Sequence, residues 1–233
     1  MSLDISKILF EDNHLIIINK KSGKIVQGDK TRDIPLLEDV KNYIKVKYNK
    51  PGDVFLGLIH RLDRPVSGIV MFAKTSKALT RMNELFRDRQ IIKKYWALTK
   101  NKPSETEGIL THYLIKDSAK NKSAAYGVEK KGTSKAVLDY KIIANSDSFY
   151  LLEINLHTGR HHQIRAQLAA INCTIKGDVK YGFQRANENG SINLHAVYVS
   201  FIHPVTKEKI EIKAPLPDEK TWKLFSKVKY TFY

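Results

Sequence analysis

Two short apolar runs enclose a charged segment in the first third of the chain, and this arrangement limits the possible folds more than any other feature. Leu56–Ile59 and Ile69–Phe72 are each bounded by polar or turn-forming residues, a pattern that predicts two buried strands. The segment between the runs contains His60, Arg61, Asp63 and Arg64. Pro65 and the Ser67-Gly68 pair favour a turn there. The sequence therefore places one acid on a loop held by two core strands, a common position for catalytic groups.

An isolated loop of this kind is equally compatible with a solvated turn that holds one surface ion pair. The composition favours a functional interpretation. Lys and Arg total 40 against 24 for Asp and Glu, a formal charge of +16 in 233 residues. Such an excess favours a polyanionic partner, and nucleic acid is the leading candidate because neutralised phosphates release condensed counterions. A basic but inert surface is the alternative.

Cysteine content and the length of apolar runs predict the cellular compartment and whether the protein binds membranes. Cys173 is the single cysteine, so no disulfide can form within the chain, which fits a reducing compartment. Met1–Ser6 lacks the basic start and apolar block of a secretion signal. No apolar run approaches the roughly 20 residues that span a bilayer. We expect a cytoplasmic protein that is soluble, monomeric and not bound to membranes.

Strands outnumber helices in the predicted secondary structure, and the two seldom alternate. Helices are predicted over Pro35–Tyr48, with Asp33 as its cap, and over Ser76–Arg89. Further strands are predicted over Ile8–Phe10, Leu15–Ile18, Tyr95–Thr99, Gly108–Ile115, Ala136–Ile143, Phe149–Leu156, Leu194–Ile202 and Lys209–Lys213. The lysine-rich residues 116–135 form either a mobile hairpin that meets RNA or a solvated loop. The pattern predicts an α+β fold, a mainly antiparallel mixed sheet with flanking helices, in one domain over 1–233.

A second distinctive segment is Leu156–Arg165. Thr158-Gly159 predicts a turn before a helix, whose exposed amides can meet an anion. Arg165 follows within two turns of that helix and could reach a carboxylate on a neighbouring loop. An arginine beside Asp63 would keep that acid ionised, because a nearby positive charge lowers the pKa of a carboxyl group. The alternative is that Arg160 and Arg165 bind only phosphate or solvent.

Other kinds of site find less support in the sequence. A zinc site would have to use His157, His161 and His162 with Cys173, but no Cys-x-x-Cys pair is present and adjacent histidines project differently from a helix. Ser67 lacks the Gly-x-Ser-x-Gly elbow of hydrolases, and no glycine-rich phosphate loop occurs. Tyr95 is either a half-buried strand residue or a group that stacks on a base or transfers a proton beside one.

Five groups of residues, in this order along the chain, resemble the RluA family of RNA pseudouridine synthases over nearly the full length. They are His60-Arg61-Leu62-Asp63 with Ser67-Gly68, Lys94-Tyr95-Trp96-Ala97, Thr158-Gly159-Arg160 with His162-Gln163-Ile164-Arg165, Gly177-Asp178 with Tyr181-Gly182, and Leu194-His195-Ala196 with His203-Pro204. The resemblance implies the pseudouridine synthase catalytic fold and isomerisation of a uridine in tRNA or rRNA, with no metal and no organic cofactor.

The resemblance also implies roles for individual residues. Asp63 would be the essential carboxylate, which attacks the nucleoside covalently or abstracts a ribose proton. Tyr95 would contact the base and Arg165 would pair with Asp63. RNA-binding roles would fall to His60, Arg61, Arg64, Lys94, Arg160 and His162. Extrusion of the target nucleotide suits a basic cleft around the Asp63 loop.

The chain departs from the family pattern at a few positions. Lys21 stands where proline is usual, and Val66 and His161 stand where threonine is common. The small N-terminal RNA-binding domain of many relatives is also expected to be missing, so that recognition rests on the catalytic domain. Two alternatives remain: a non-catalytic RNA-binding protein that retains the fold, and a metal-dependent hydrolase that uses the histidines.

Overall fold

The computed structural model describes residues 4–228, which form two compact units. The first unit contains the chain up to Lys93 together with Ala196–Pro215. The second contains Lys94–His195 together with the chain from Leu216 onward. Two compact units can belong to one folding domain, so the single domain over 1–233 stays a prediction.

The first unit begins with a β-hairpin. Strands β1 (Ile8–Glu11) and β2 (Leu15–Lys20) pair antiparallel, as the sequence predicts. The Asp12 carboxylate closes the turn between them, because it accepts hydrogen bonds from the backbone amides of His14 at 2.8 Å and Leu15 at 2.6 Å. The apolar residues of β2 are buried, so this hairpin belongs to the core of the unit.

Helix α1 runs over Leu36–Lys47 and buries Leu36, Val40 and Ile44. The predicted cap at Asp33 is wrong. Pro35 occupies the N-cap position and no side chain caps the helix, since proline already fixes the backbone angle that a first turn needs. Asp33 lies two residues further out and pairs with Arg64 instead.

Strand β3 is short (Gly57–Leu58) and pairs antiparallel with the fully buried β4 (Ser67–Ala73). The prediction that Ser67-Gly68 belongs to the turn is wrong, since both residues already lie in β4. Gly68 has a φ of +111°, and a Cβ atom there would lie 2.3 Å from the carbonyl oxygen of Ala196. This glycine therefore serves a close backbone approach. After β4, helix α2 (Ser76–Arg87) starts at Thr75, whose hydroxyl accepts the amide of Ala78 at 3.1 Å.

The second unit is built on five antiparallel strands in the order β5-β9-β8-β6-β7. Their bounds are β5 Ile92–Thr99, β6 Glu107–Asp117, β7 Lys122–Tyr126, β8 Ser134–Asn145 and β9 Tyr150–Leu156. Helix α3 (Gln163–Ala170) packs on one face of the sheet, where Ala166 joins Leu114, Ala136 and Tyr181 in a buried cluster. Residues 116–135 thus contribute the end of β6, all of β7 and the start of β8.

Strand β10 (Leu194–Ile202) runs from the second unit into the first and forms a hairpin with β11 (Lys209–Lys213). The strand order in the first unit is β1-β2-β4-β10-β11, with β3 beside β4. A short helix α4 covers Lys220–Lys223. The predicted α+β fold is confirmed. Between residues 4 and 228, no helix is both long enough and apolar enough to cross a bilayer.

Candidate active site

The loop that carries Asp63 joins β3 to β4 in the first unit. The backbone amide of Val66 donates to the carbonyl oxygen of Asp63 at 3.1 Å and closes a tight turn. Leu62 and Val66, on either side of the turn, are 8% and 2% exposed, while Asp63 itself is half-buried. Buried apolar anchors therefore hold the acid at a fixed place on the rim of the core.

A buried lysine lies behind this turn. The side chain of Lys20, at the end of β2, is 1% exposed. Its Nζ donates to three carbonyl oxygens, those of Lys24 at 2.8 Å, Lys21 at 3.1 Å and Arg64 at 3.2 Å. Burial lowers the pKa of Lys20 to about 7, and the negative charge of Asp63 opposes that shift. Lys20 is thus a cation in the field of Asp63 that titrates near neutral pH.

Sequence reasoning missed Lys20. The alternation of side chains along β2 nevertheless indicates that Lys20 is buried. Side chains on a strand alternate between faces, so Ile16, Ile18 and Lys20 share one face of β2. A lysine that continues a buried face must find polar partners inside the protein.

Arg64 is bound to the neighbouring loop. Its Nε donates to the carbonyl oxygen of Gly23 at 3.0 Å, its guanidinium pairs with Asp33, and its own carbonyl accepts the Gly23 amide at 2.8 Å. These contacts fix the turn that carries Asp63. Arg61 has an exposed side chain. RNA-binding roles for Arg61 and Arg64 stay predictions.

His60 is an uncharged hydrogen-bond acceptor. The backbone amide of Met71 in β4 donates to His60 Nε2 at 3.3 Å, so the ring proton lies on Nδ1. Burial and the positive charge of Lys93 lower the pKa of His60 to about 3. The ring lies 5.5 Å from that of Phe86 in α2. His60 therefore ties the loop to the sheet as a neutral ring, and its predicted contact with RNA would not be an ionic one.

In the second unit, Tyr95 lies on β5 opposite Ile154 of β9 and is 8% exposed. Its neighbour Lys94 forms an ion pair with Glu153 at 2.8 Å, and the indole Nε1 of Trp96 donates to the same carboxylate at 3.4 Å. The carboxylate of Glu153 thereby fixes the residues on both sides of Tyr95. The roles of Tyr95 and Lys94 toward a base or RNA stay predictions.

Arg165 forms a buried pair with Asp178. Its Nε donates to one carboxylate oxygen at 2.7 Å and its Nη2 to the other at 2.8 Å, and the two side chains are 5% and 1% exposed. Gly177 precedes the acid and has a φ of +85°. A Cβ atom at this position would lie only 2.7 Å from the side chain of Asn187, so the position requires glycine. The bidentate pair fixes the orientation of the guanidinium group. Its pairing with Asp63 stays a prediction.

His162 begins α3 in the left-handed conformation, with a φ of +53°. Its Nδ1 lies 3.0 Å from the hydroxyl of Tyr181, which accepts the backbone amide of Ser123 at 2.8 Å. The Tyr181 proton therefore points to His162, and burial together with Arg165 lowers the pKa of His162 to about 2. The ring of His161 stacks on it at 3.8 Å. His162 is 9% exposed, so an RNA contact would use a small part of its ring.

The Thr158-Gly159-Arg160 turn is organised by Gln163, the first residue of α3. Its side-chain oxygen accepts the Thr158 hydroxyl at 2.7 Å and the Arg160 amide at 3.0 Å, and its amide nitrogen donates to the carbonyl oxygen of Val137 at 3.1 Å. The sequence predicts that exposed amides at the start of this helix can bind an anion. The Arg160 amide does not serve that purpose, because it is hydrogen-bonded within the protein. The exposed Arg160 side chain donates through Nε to the carbonyl oxygen of Lys135 at 3.2 Å.

Comparison with known proteins gives one consistent result. Residues 14–170 match a protein family described as RNA pseudouridylate synthase, a range that includes Asp63, Tyr95 and Arg165. The chain is 35% identical to the ribosomal large subunit pseudouridine synthase C of Buchnera aphidicola, over 91% of this chain and 68% of that one. It is 29% identical to the corresponding synthase D of Zymomonas mobilis, over 91% and 70% of the two chains. The solved structure of human RNA pseudouridylate synthase domain containing 4 is 25% identical, covers 91% of this chain with 89% of its own, and superposes with a TM-score of 0.76.

Proposed function

Since the chain belongs to the RNA pseudouridylate synthase family, it is an isomerase of uridine in RNA, and we propose that ribosomal RNA is its substrate and Asp63 its essential carboxylate. The names of the similar bacterial enzymes, which refer to the large ribosomal subunit, support the choice of RNA. The formal charge of +16 suits any large RNA. The observation that carries the role of Asp63 is its position on a turn that buried residues and the Lys20 ammonium hold from behind.

The reaction conserves all atoms of the nucleoside. The bond between the sugar and the uracil nitrogen breaks, the uracil turns, and a bond from a ring carbon to the same sugar forms. That carbon loses its proton and the freed ring nitrogen gains one, so the product is an isomer of the substrate. Asp63 acts either as the nucleophile that holds the sugar or as the base that takes a ribose proton, and both roles need the ionised carboxylate.

Tyr95 and Arg165 complete the proposed chemistry. Tyr95 would contact the uracil and assist removal of the proton from its carbon. Arg165 would hold the Asp63 carboxylate through N–H groups beyond those that Asp178 uses. The rigid bidentate pair supports this role, because a guanidinium oriented by one carboxylate is already positioned for another group.

The test uses unmodified transcripts of ribosomal RNA and of tRNA, with pseudouridine measured by nucleoside chromatography after digestion. We expect product on ribosomal RNA from the wild type and from Asp147→Asn, which changes an exposed acid in the turn before β9, and none from Asp63→Asn. Equal product from Asp63→Asn and the wild type would reject the role of Asp63. Product on tRNA alone would reject the choice of RNA.

The non-catalytic alternative predicts RNA binding without any product, so the same assay separates it from the synthase.

A further inference from the structure

One face of the sheet in the second unit is exposed and carries aromatic residues among lysines. On β6, the side chains of Ile109, Tyr113 and Ile115 point to this face, because residues two apart in a strand share a side. Ile109 is 71% and Ile115 37% exposed, whereas Leu114, which points to the α3 side, is buried. The two isoleucines on this side of β6 therefore expose apolar surface to solvent.

Two tyrosines are neighbours on this face. Tyr113 of β6 lies directly opposite Tyr126 of β7, and on its other side it lies opposite Lys135 of β8. Both tyrosines are half-buried. Directly opposed side chains on antiparallel strands have Cβ atoms about 5 Å apart, so the two tyrosines present their side chains next to each other on this face. Aromatic rings on an open sheet are a common platform on which bases of single-stranded RNA stack.

Cations surround the two rings. Lys130 Nζ lies 3.8 Å from the centre of the Tyr126 ring. The lysine is presented by an ordered turn, in which Thr133 donates its amide at 3.0 Å and its hydroxyl at 2.6 Å to the carbonyl oxygen of Lys130. Residues 116–135 contain six lysines against two acids, Asp117 and Glu129. Lys130 and Lys135 are both exposed, so positive charge borders the aromatic surface on two sides.

One further cation lies close to this part of the sheet. The exposed Arg160 side chain donates to the carbonyl oxygen of Lys135, the residue opposite Tyr113. We propose that this face, made of Tyr113, Tyr126, Lys130 and Lys135, binds single-stranded RNA by stacking bases on the tyrosines and holding phosphates with the lysines.

This inference deepens the proposed function, on which it rests, by naming a surface that contacts RNA outside the residues assigned to chemistry. Charge and ring exposure together favour RNA over a second copy of the chain. A self-association surface gains little from clustered like charges, which repel across a symmetric interface.

The test measures binding of the full chain to a fluorescein-labelled 12-nucleotide oligocytidine, which contains no uridine to isomerise. Loss of each base stack weakens binding by about 1 kcal/mol or more, so Tyr113→Leu with Tyr126→Leu should raise the Kd at least about thirtyfold. Lys130→Gln with Lys135→Gln should lower the slope of log Kd against log salt by about 1.4. Matched controls are Phe55→Leu, an exposed aromatic position in the first unit, and Lys100→Gln, both expected within about twofold of the wild type.

Ultraviolet crosslinking of the same oligonucleotide should place it on Tyr113 or Tyr126 by mass spectrometry. Wild-type affinity in the tyrosine variant, or crosslinks that map only elsewhere, would overturn the proposal. So would a change in sedimentation mass of the tyrosine variant without a change in RNA affinity, since that identifies a protein interface. The pseudouridine assay at saturating RNA keeps the two proposals apart. If the tyrosine variant forms pseudouridine and binds RNA like the wild type, only the proposed RNA-binding face is rejected. If the wild type forms no pseudouridine, the proposed function is rejected.

Discussion

Replacement of Lys20 by methionine tests whether the buried side chain behind Asp63 has a pKa near 7. The pKa of Lys20 falls from 10.5 to about 7 on folding because the side chain is buried. The unfolded chain therefore binds more protons than the folded chain between these two values, and stability must rise with pH in that window. Below pH 7 the folded protein carries the full penalty of a buried ammonium, and above pH 10.5 it carries none.

The size of the effect follows from the two pKa values. For a group that titrates at 10.5 when unfolded and at about 7 when folded, the free energy of unfolding rises by about 3 kcal/mol between pH 6 and 9. Lys20→Met abolishes this rise. It also leaves three carbonyl oxygens without their donor, at a cost of about 1–3 kcal/mol each where they stay buried. The pH dependence is the cleaner measurement, since the lost hydrogen bonds do not titrate.

The assay is urea unfolding of the wild type, Lys20→Met and the matched control Lys21→Met, whose side chain is exposed. The difference in unfolding free energy between the wild type and Lys20→Met should grow in favour of the wild type as pH rises from 6 to 9. The curves of the wild type and Lys21→Met should stay parallel. Parallel curves for the wild type and Lys20→Met would refute a titrating Lys20.

Three further predictions concern the site and its support. Asp178→Asn should lower pseudouridine formation at saturating RNA by at least about tenfold with RNA affinity within twofold, because Arg165 loses the partner that orients it; equal loss of affinity and rate would contradict this. Gly68→Ala should lower the free energy of unfolding by about 3 kcal/mol, since a Cβ meets backbone at 2.3 Å, whereas urea unfolding of Gly28→Ala, with nothing within 4 Å, should match the wild type. Glu11→Gln should lower the free energy of unfolding by about 1–3 kcal/mol above pH 4.5. Burial raises the pKa of Glu11, but four hydrogen bonds outweigh this effect and set the pKa at about 2. The stability difference between Glu11→Gln and the wild type should therefore disappear in an acid titration as pH falls through that value.

Regular apolar patterns made most of the sheet predictable from sequence. The bounds of β10 and β11 follow from their patterns without correction, since burial on one side of a strand leaves an alternating or continuous apolar run. Strand β7 (Lys122–Tyr126) lies in residues 116–135, for which the sequence left a hairpin and a loop open, because four of its five residues are small or polar and it lies at the edge of the sheet. An edge strand has one bonded neighbour and leaves a weak sequence signal.

The site residues were identifiable by type, but several of their contacts were not. Arg165 needs a carboxylate partner. The described contact is with Asp178, thirteen residues further along the chain, and the pairing with Asp63 stays a prediction. A pattern of residues does not show which acid meets an arginine, because that depends on how the chain folds. The sequence likewise identifies His60 and His162 as candidate RNA contacts, but only the structure shows that burial keeps both rings neutral.

Lys20 fixes the turn that carries Asp63 from inside the first unit. Its Nζ donates to the carbonyl oxygens of Lys21, Lys24 and Arg64, of which the first two belong to the loop after β2 and the third directly follows Asp63. One buried side chain therefore joins two loops that are far apart in sequence. Because burial lowers the pKa of Lys20 to about 7, the charge behind this turn changes near neutral pH, so both the position of the turn and the charge beside it depend on this one lysine.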